Sequence, residues 1–289
     1  MTNFNSRDSA REFDEIYFPP APASRLRYCF ETTPEGYIPL SQDWSYLLSS
    51  MATLPYVYVQ VDHSYGRMSM RLEQEYLIDS LKGSSKSNGL LIEGNYLGWS
   101  AAFARLEECP CCGSPGLICI FNNSGKPFLQ LNPPSDLKLN EWARLLSRLA
   151  ITRESAESIK AMKAPEAMMP YCPQQVTDLH VKGYDCLHLF GTIAMAELPL
   201  EFTIRAPEGA LRQSYTIRNL KENGKIMLCS GELAGFRFPW PKIQRVVTFE
   251  EDGRIALLLI GPENRVLFEV RAQPDVAIES GWRTVLQSI

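Results

Sequence analysis

The chain has 289 residues, 45% of them apolar and 21% charged, with a formal net charge of −4. That much apolar surface collapses into a core, which excludes disorder as the main state. The acidic balance excludes a dedicated nucleic-acid binder, which needs a basic face to displace phosphate counterions.

The first residues, MTNFNSRDSAREFDE, are polar and charged and lack the apolar stretch of a secretory signal. A cytoplasmic protein whose eight cysteines are mostly reduced thiols is the expectation. No segment approaches the roughly 20 apolar residues that cross a bilayer, and the run Ile255 to Ile260 has the length of a buried strand.

Trp44, Leu47, Leu48 and Met51 fall at i, i+3, i+4 and i+7 and predict a first helix. The β-branched and aromatic stretch Tyr56 to Val61 predicts a strand. Turn signals then punctuate the chain at His63 to Gly66, Ser87-Asn88-Gly89 and Asn122 to Gly125. Later ones are Asn223-Gly224, Glu251-Asp252-Gly253 and Gly261 to Asn264, and the rhythm is that of an antiparallel meander. Trp142, Leu145, Leu146 and Leu149 have helical spacing. Thr152 to Pro173, broken by Pro165 and Pro170, is expected to be a linker with an entry helix. Beyond it, Leu200, Phe202 and Ile204 alternate with Glu201, Thr203 and Arg205 as a strand does, and Trp282, Val285, Leu286 and Ile289 predict a closing helix.

The chain also repeats itself. Met51 to Pro55 returns as Met195 to Pro199, and Gly94 to Trp99 as Gly231 to Phe236. Gly116 to Phe121 returns as Gly253 to Leu258, and Trp142 to Leu149 as Trp282 to Ile289. The offsets are 144, 137, 137 and 140, close to half the length, and the order is kept. Each half therefore reads as helix, antiparallel sheet, helix, an α+β arrangement in two tandem repeats, 1–155 and 156–289. A pseudo-two-fold axis relating the repeats is expected.

This pattern resembles the haem-utilisation, or hemin-degrading, proteins of the HemS/ChuX type. Gly94 to Ala104 is similar to the family segment that ends Trp-x-x-Ala-Phe-Ala. Gly116 to Phe121, Asn123 to Pro127 and Leu139 to Trp142 resemble its hairpin and following helix, as does Asp252 to Arg271 in the second half. The resemblance implies a HemS-like fold that holds haem between its repeats, for trafficking or for degradation. It also implies an axial histidine within Thr-Asp-x-His, which Thr177-Asp178-Leu179-His180 matches in the region before the second sheet. An imidazole can donate a ring nitrogen to iron while a carboxylate fixes its tautomer. The family's arginine on the other side of the haem falls near Glu93, a reversal of charge. Arg205 and Arg212 are the candidates to meet the propionates, since guanidinium pairs with carboxylate, and Trp240 is a candidate to line the cleft. Delivery is the leading function, with a haem transporter or haem-processing enzyme as partner. The alternatives are a scaffold that kept the fold and lost the cofactor, or a haem-degrading enzyme.

Other residues carry weaker signals. His188 lies in an apolar helical run and is expected to be hydrogen-bonded and partly buried, while His63 precedes a turn. Cys109, Cys111 and Cys112 sit at a hairpin tip without the paired spacing of a structural zinc site, and Cys119 is expected to pack as a small apolar side chain. Arg67 and Arg71 occupy the strand region equivalent to Arg205 and Arg212, where solvated strand faces explain them as well as a ligand does. No phosphate loop, nucleophile elbow or His-Glu-x-x-His helix is present.

Overall fold

The structure, a computed structural model, describes residues 37–63, 66–74, 90–94, 99–106, 114–122, 127–151, 171–181, 185–206, 209–232 and 234–289. In chain order the elements are β1 (Ile38–Leu40), α1 (Trp44–Met51), β2 (Tyr56–His63), β3 (Gly66–Glu73), β4 (Leu90–Gly94), β5 (Trp99–Arg105), β6 (Leu117–Asn122), β7 (Pro127–Asn132) and α2 (Leu139–Leu149). Then follow β8 (Thr177–Asp178), α3 (Cys186–Met195), β9 (Leu200–Ala206), β10 (Gly209–Tyr215), β11 (Asn219–Asn223), β12 (Ile226–Ser230) and β13 (Ala234–Pro239). A 3₁₀ turn (Trp240–Lys242), β14 (Arg245–Glu251), β15 (Arg254–Ile260), β16 (Val266–Ala272) and α4 (Val276–Gln287) complete the chain. Most of the expected linker, the cysteines 109, 111 and 112, and the side chains of His63 and Glu93 lie outside the described residues.

Two compact units are present. The first has strand order β1-β5-β6-β7-β2-β3, with the start of β3 up to Met68 belonging to the second, and carries α1 and α2. The second holds the order β4-β10-β9-β16-β15-β14-β8, the meander β11-β12-β13, and α3 and α4. The pairs with a defined register are antiparallel. The first unit's run β5-β6-β7-β2-β3 recurs in the second as β14-β15-β16-β9-β10, so the fold is duplicated.

The helices form where the periodicity placed them. Asp43 caps α1 by accepting the Tyr46 N–H at 3.0 Å, and Leu47, Leu48 and Met51 face the core. Asp275 caps α4 by accepting from Ala277 and Ile278 at 2.9 and 3.1 Å. On the closing helices Trp142 and Trp282 are both fully buried. The Trp282 indole donates to the Ile255 carbonyl at 2.9 Å, and Trp142 stands over Gly116, the equivalent position. In the second unit Phe190, Phe202, Phe236, Phe238 and Phe268 pack ring against ring, with centroids 5.2–5.6 Å apart.

Ladder register corrects three of the four string matches. Leu131 pairs with Val59 and Val270 with Phe202, so the core strands align Val57, Val59 and Val61 with Leu200, Phe202 and Ile204. Met51 is buried whereas Met195 is 78% exposed; the residue that shares Met51's place on its helix is Ile193. Gly116 corresponds to Ile255, two positions past Gly253. Trp99 lies in β5, whose counterpart is β14, whereas Phe236 lies in β13. The cause is unequal loops: eleven residues join β5 to β6, and only Asp252 and Gly253 join β14 to β15.

Candidate functional site

The Thr177-Asp178-Leu179-His180 string does not lie in a helix. Thr177 and Asp178 form β8, paired to Thr248 and Val247 at the edge of the second unit's seven-stranded sheet. The chain then turns. Asp178 Oδ1 accepts the His180 backbone N–H at 2.8 Å, and the Leu179 N–H donates to the Val246 carbonyl at 3.1 Å. His180 consequently has a φ of 55°, a left-handed conformation that the Asp178 side chain closes locally. Its imidazole is 90% exposed, with Nδ1 3.8 Å from Asp178 Oδ1.

Arg245, on β14, donates from Nε to Asp178 Oδ2 at 3.0 Å. The Asp178 carboxyl is held below its usual range, first by the His180 backbone hydrogen bond and then by the bond and charge of Arg245. At neutral pH the site is therefore a carboxylate bridging a guanidinium and a histidine turn, with an accessible imidazole. Such an imidazole can offer a ring nitrogen to a metal.

The segment leading to it is pinned in place. Cys172 and Val176 pack on Val247, Ala256, Leu258, Ile260 and Val266. The Cys172 N–H donates to the Asn264 carbonyl at 2.8 Å. The Arg265 guanidinium lies 3.3 Å from the centroid of the Tyr171 ring and donates to its hydroxyl at 2.5 Å.

Arg205 and Arg212 come together on adjacent strands, where Ala210 faces Arg205 and Arg212 faces Thr203. Both have carboxylate neighbours. Arg205 Nη2 is 2.6 Å from Glu269 Oε2, and Arg212 Nε is 3.6 Å from Glu201 Oε1. Arg271 Nε also bonds Glu269, and its Nη2 reaches Glu251 at 3.3 Å. His180 is set apart from these arginines: β8 lies four strand positions from β9, about 19 Å across a sheet. The guanidinium beside His180 is instead that of Arg245. Sequence reasoning missed it, because only the pairing of β8 with β14 brings the two together.

Trp240 occupies the 3₁₀ turn after β13 and is half-buried. Its backbone N–H donates to the Lys225 carbonyl at 3.1 Å, while its indole Nε1 is buried without a hydrogen-bond partner. His188 is exposed on α3, contrary to expectation, because the buried face of that helix is Cys186, Leu189, Phe190 and Ile193. Cys119 is fully buried as expected, and burial pushes its thiol up to about 12. Arg67 is buried rather than solvated, and Arg71 stacks 3.9 Å over the Tyr56 ring with its Nε 2.8 Å from Glu73 Oε1 as an ion pair. Among the described residues no three His, Cys, Asp or Glu side chains converge as a metal site of their own, and no helix is long and apolar enough to cross a membrane.

The repeated strand order and paired closing tryptophans define a duplicated α+β protein of the HemS-like fold class. PhuS, a heme-binding protein from Pseudomonas aeruginosa, has this fold in its holo form. It matches with a TM-score of 0.71 over 88% of this chain and 87% of its own, at 13% identity. ChuS, an E. coli heme oxygenase, matches with a TM-score of 0.70 over 90% of each chain, at 9% identity. No sequence-family model matches the chain, and neither does any curated protein sequence.

Proposed function

We propose that this protein binds haem for trafficking or utilisation, with the His180 imidazole as axial ligand to the iron. The observation that carries the reading is the exposed His180, held by Asp178 in a chain with the fold of PhuS and ChuS. Porphyrin supplies four nitrogens to its iron, so a single side-chain donor suffices, and His180 fits that need. Asp178 sits where it can hold the imidazole's tautomer, and Arg245 keeps Asp178 ionised.

Arg205 and Arg212 are proposed for the propionates and Trp240 for the wall of the cleft. To bind there, the two arginines share their charge with Glu269 and Glu201. Arg245 is a third guanidinium available to a propionate nearer His180. The repeats 1–155 and 156–289 are proposed as the two descendants of one ancestral unit. The protein is proposed to work in the cytoplasm, exchanging haem with a transporter or a haem-processing enzyme.

Hemin titrated into the purified protein is expected to give a sharp Soret band that weakens in His180→Ala. The broad spectrum of aggregated hemin from the wild type overturns the reading and leaves the scaffold alternative. Degradation is a second reading, favoured by the likeness to ChuS. It predicts that the Soret band disappears on adding a reductant with catalase present, whereas delivery predicts a band that persists.

A further inference from the structure

In the first unit, α1 and α2 flank a cavity of about 420 Å³. Tyr46, Ser49, Ser50 and Thr53 line one wall, spaced i, i+3, i+4 and i+7 along α1 and the turn that ends it. Glu141, Arg144, Leu145 and Arg148 line the other wall with the same spacing along α2. Ser50 and Leu145 are half-buried, and the remaining lining residues are exposed.

The two walls offer different chemistry. Arg144 and Arg148 stand one turn apart on one stripe of α2, and neither guanidinium pairs with a carboxylate among the described residues. Like charges at that spacing destabilise a helix. The second repeat does not carry them: the pairing of Trp142 with Trp282 places Thr284 at the Arg144 position and Ser288 at the Arg148 position. On the α1 wall each hydroxyl has given its proton to a backbone carbonyl. Ser49 and Ser50 donate to that of Tyr46 at 3.0 and 2.8 Å, and Thr53 donates to that of Ser50 at 2.7 Å. Their oxygens have only lone pairs left to offer a ligand. Glu141 adds a carboxylate acceptor, and Tyr46, 45% exposed, adds an aromatic ring.

We infer that this cavity binds a phosphorylated polyol, a free sugar phosphate. The phosphate takes the guanidinium forks of Arg144 and Arg148, since one tetrahedral dianion accepts from two forks where a carboxylate is filled by one. The polyol hydroxyls donate to the oxygens of Ser49, Ser50, Thr53 and Glu141, and the Tyr46 ring packs on the C–H face of the sugar. A bare anion leaves those acceptors unmet, and a neutral sugar leaves the arginines unmet. A lipid headgroup site needs apolar side chains to enter the membrane surface, and this lining supplies only the half-buried Leu145 beside the Tyr46 ring.

Glucose-6-phosphate, with inorganic phosphate and glucose as comparisons, tests the inference by ligand-observed NMR titration of the full chain. Wild type is expected to bind glucose-6-phosphate saturably in the millimolar range, inorganic phosphate about tenfold more weakly, and glucose not at all. The double variant Arg144→Lys, Arg148→Lys keeps the charge and loses the forks, so its affinity for glucose-6-phosphate should fall about tenfold. Tyr46→Ala should bring glucose-6-phosphate down toward inorganic phosphate and leave inorganic phosphate unchanged. All three side chains are exposed, and an unchanged unfolding midpoint checks that the fold is intact. Absence of saturable glucose-6-phosphate binding to wild type overturns the inference, as does equal affinity for inorganic phosphate. Undiminished binding to the lysine variant overturns it too, and reduces the cavity to charge attraction. Phosphatidylcholine vesicles containing phosphatidylinositol phosphate should leave the protein in the supernatant. Pelleting that the lysine variant abolishes reassigns the cavity to a lipid headgroup and overturns the free sugar phosphate.

Discussion

Replacing Glu269 by Gln probes the charged band on the second unit's sheet. Glu269 is 7% exposed and is held by Arg205 at 2.6 Å and by Arg271. Burial alone raises its carboxyl pKa, but the charges and hydrogen bonds of the two arginines outweigh burial and hold it below the usual range. Removing one partner from a fully buried ion pair costs about 3–5 kcal/mol. Here the Arg205 and Arg271 side chains keep 22% and 18% exposure, so water replaces part of what is lost, and Gln retains one acceptor oxygen. The expected loss at pH 7 is therefore about 2 kcal/mol. The native pKa lies below that of the unfolded chain, about 4.3 for an unperturbed Glu. The carboxylate's contribution is thus fully present above the unfolded value and is lost as pH falls toward the native one. Urea unfolding of wild type and Glu269→Gln should give a constant difference from pH 8 down to about pH 5.5, and a shrinking one below about pH 4.5. A difference under about 0.5 kcal/mol at pH 7, or one that grows on acidification, refutes the account.

Two further outcomes bear on the first repeat and the cores. A Cβ on Gly116 would meet the Arg105 carbonyl and lie 2.6 Å from Trp142 Nε1, so Gly116→Ala should destabilise by about 2–4 kcal/mol. Chemical denaturation showing less than about 1 kcal/mol contradicts the close approach of α2 to β6. Burial pushes the Cys119 and Cys186 thiols up to about 12 and that of Cys229 well above its ordinary value. All three should therefore resist maleimide in the native protein at pH 8 and label only after denaturation, as read by peptide mass mapping. Rapid native labelling of any of them counts against the packing described.

Elements whose apolar period is local were legible from the sequence. The spacing of Trp44 to Met51 and of the two closing helices gave their buried faces, β-branched and aromatic composition gave β2, and alternation gave β9. The duplication was legible too, but not its register. Met51 and Met195 look alike as letters, yet burial separates them, because helix phase is decided by what the helix packs on. The candidate site was half legible. His180 was found from its string, whereas its strand and its partner Arg245 follow from a pairing between residues 67 apart, which no local pattern encodes.

The aligned repeats differ at polar positions of the ladder. Gln130 in the first repeat, flanked by Gln60 and Cys119, occupies the ladder position that Glu269 holds in the second, flanked by Thr203 and Leu258. Ser69, next to Gln60, stands where Arg212 faces Thr203. At these ladder positions the first repeat places two amides and a hydroxyl, and the second a carboxylate, a threonine and a guanidinium, although the first also buries Arg67 on β3. The core positions cannot drift this way, because Val59 and Phe202 are both buried and must fill space. On the polar face only hydrogen-bond satisfaction is enforced, and neutral or ionic partners meet that requirement equally. These positions therefore differ in charge between the copies without disturbing the fold.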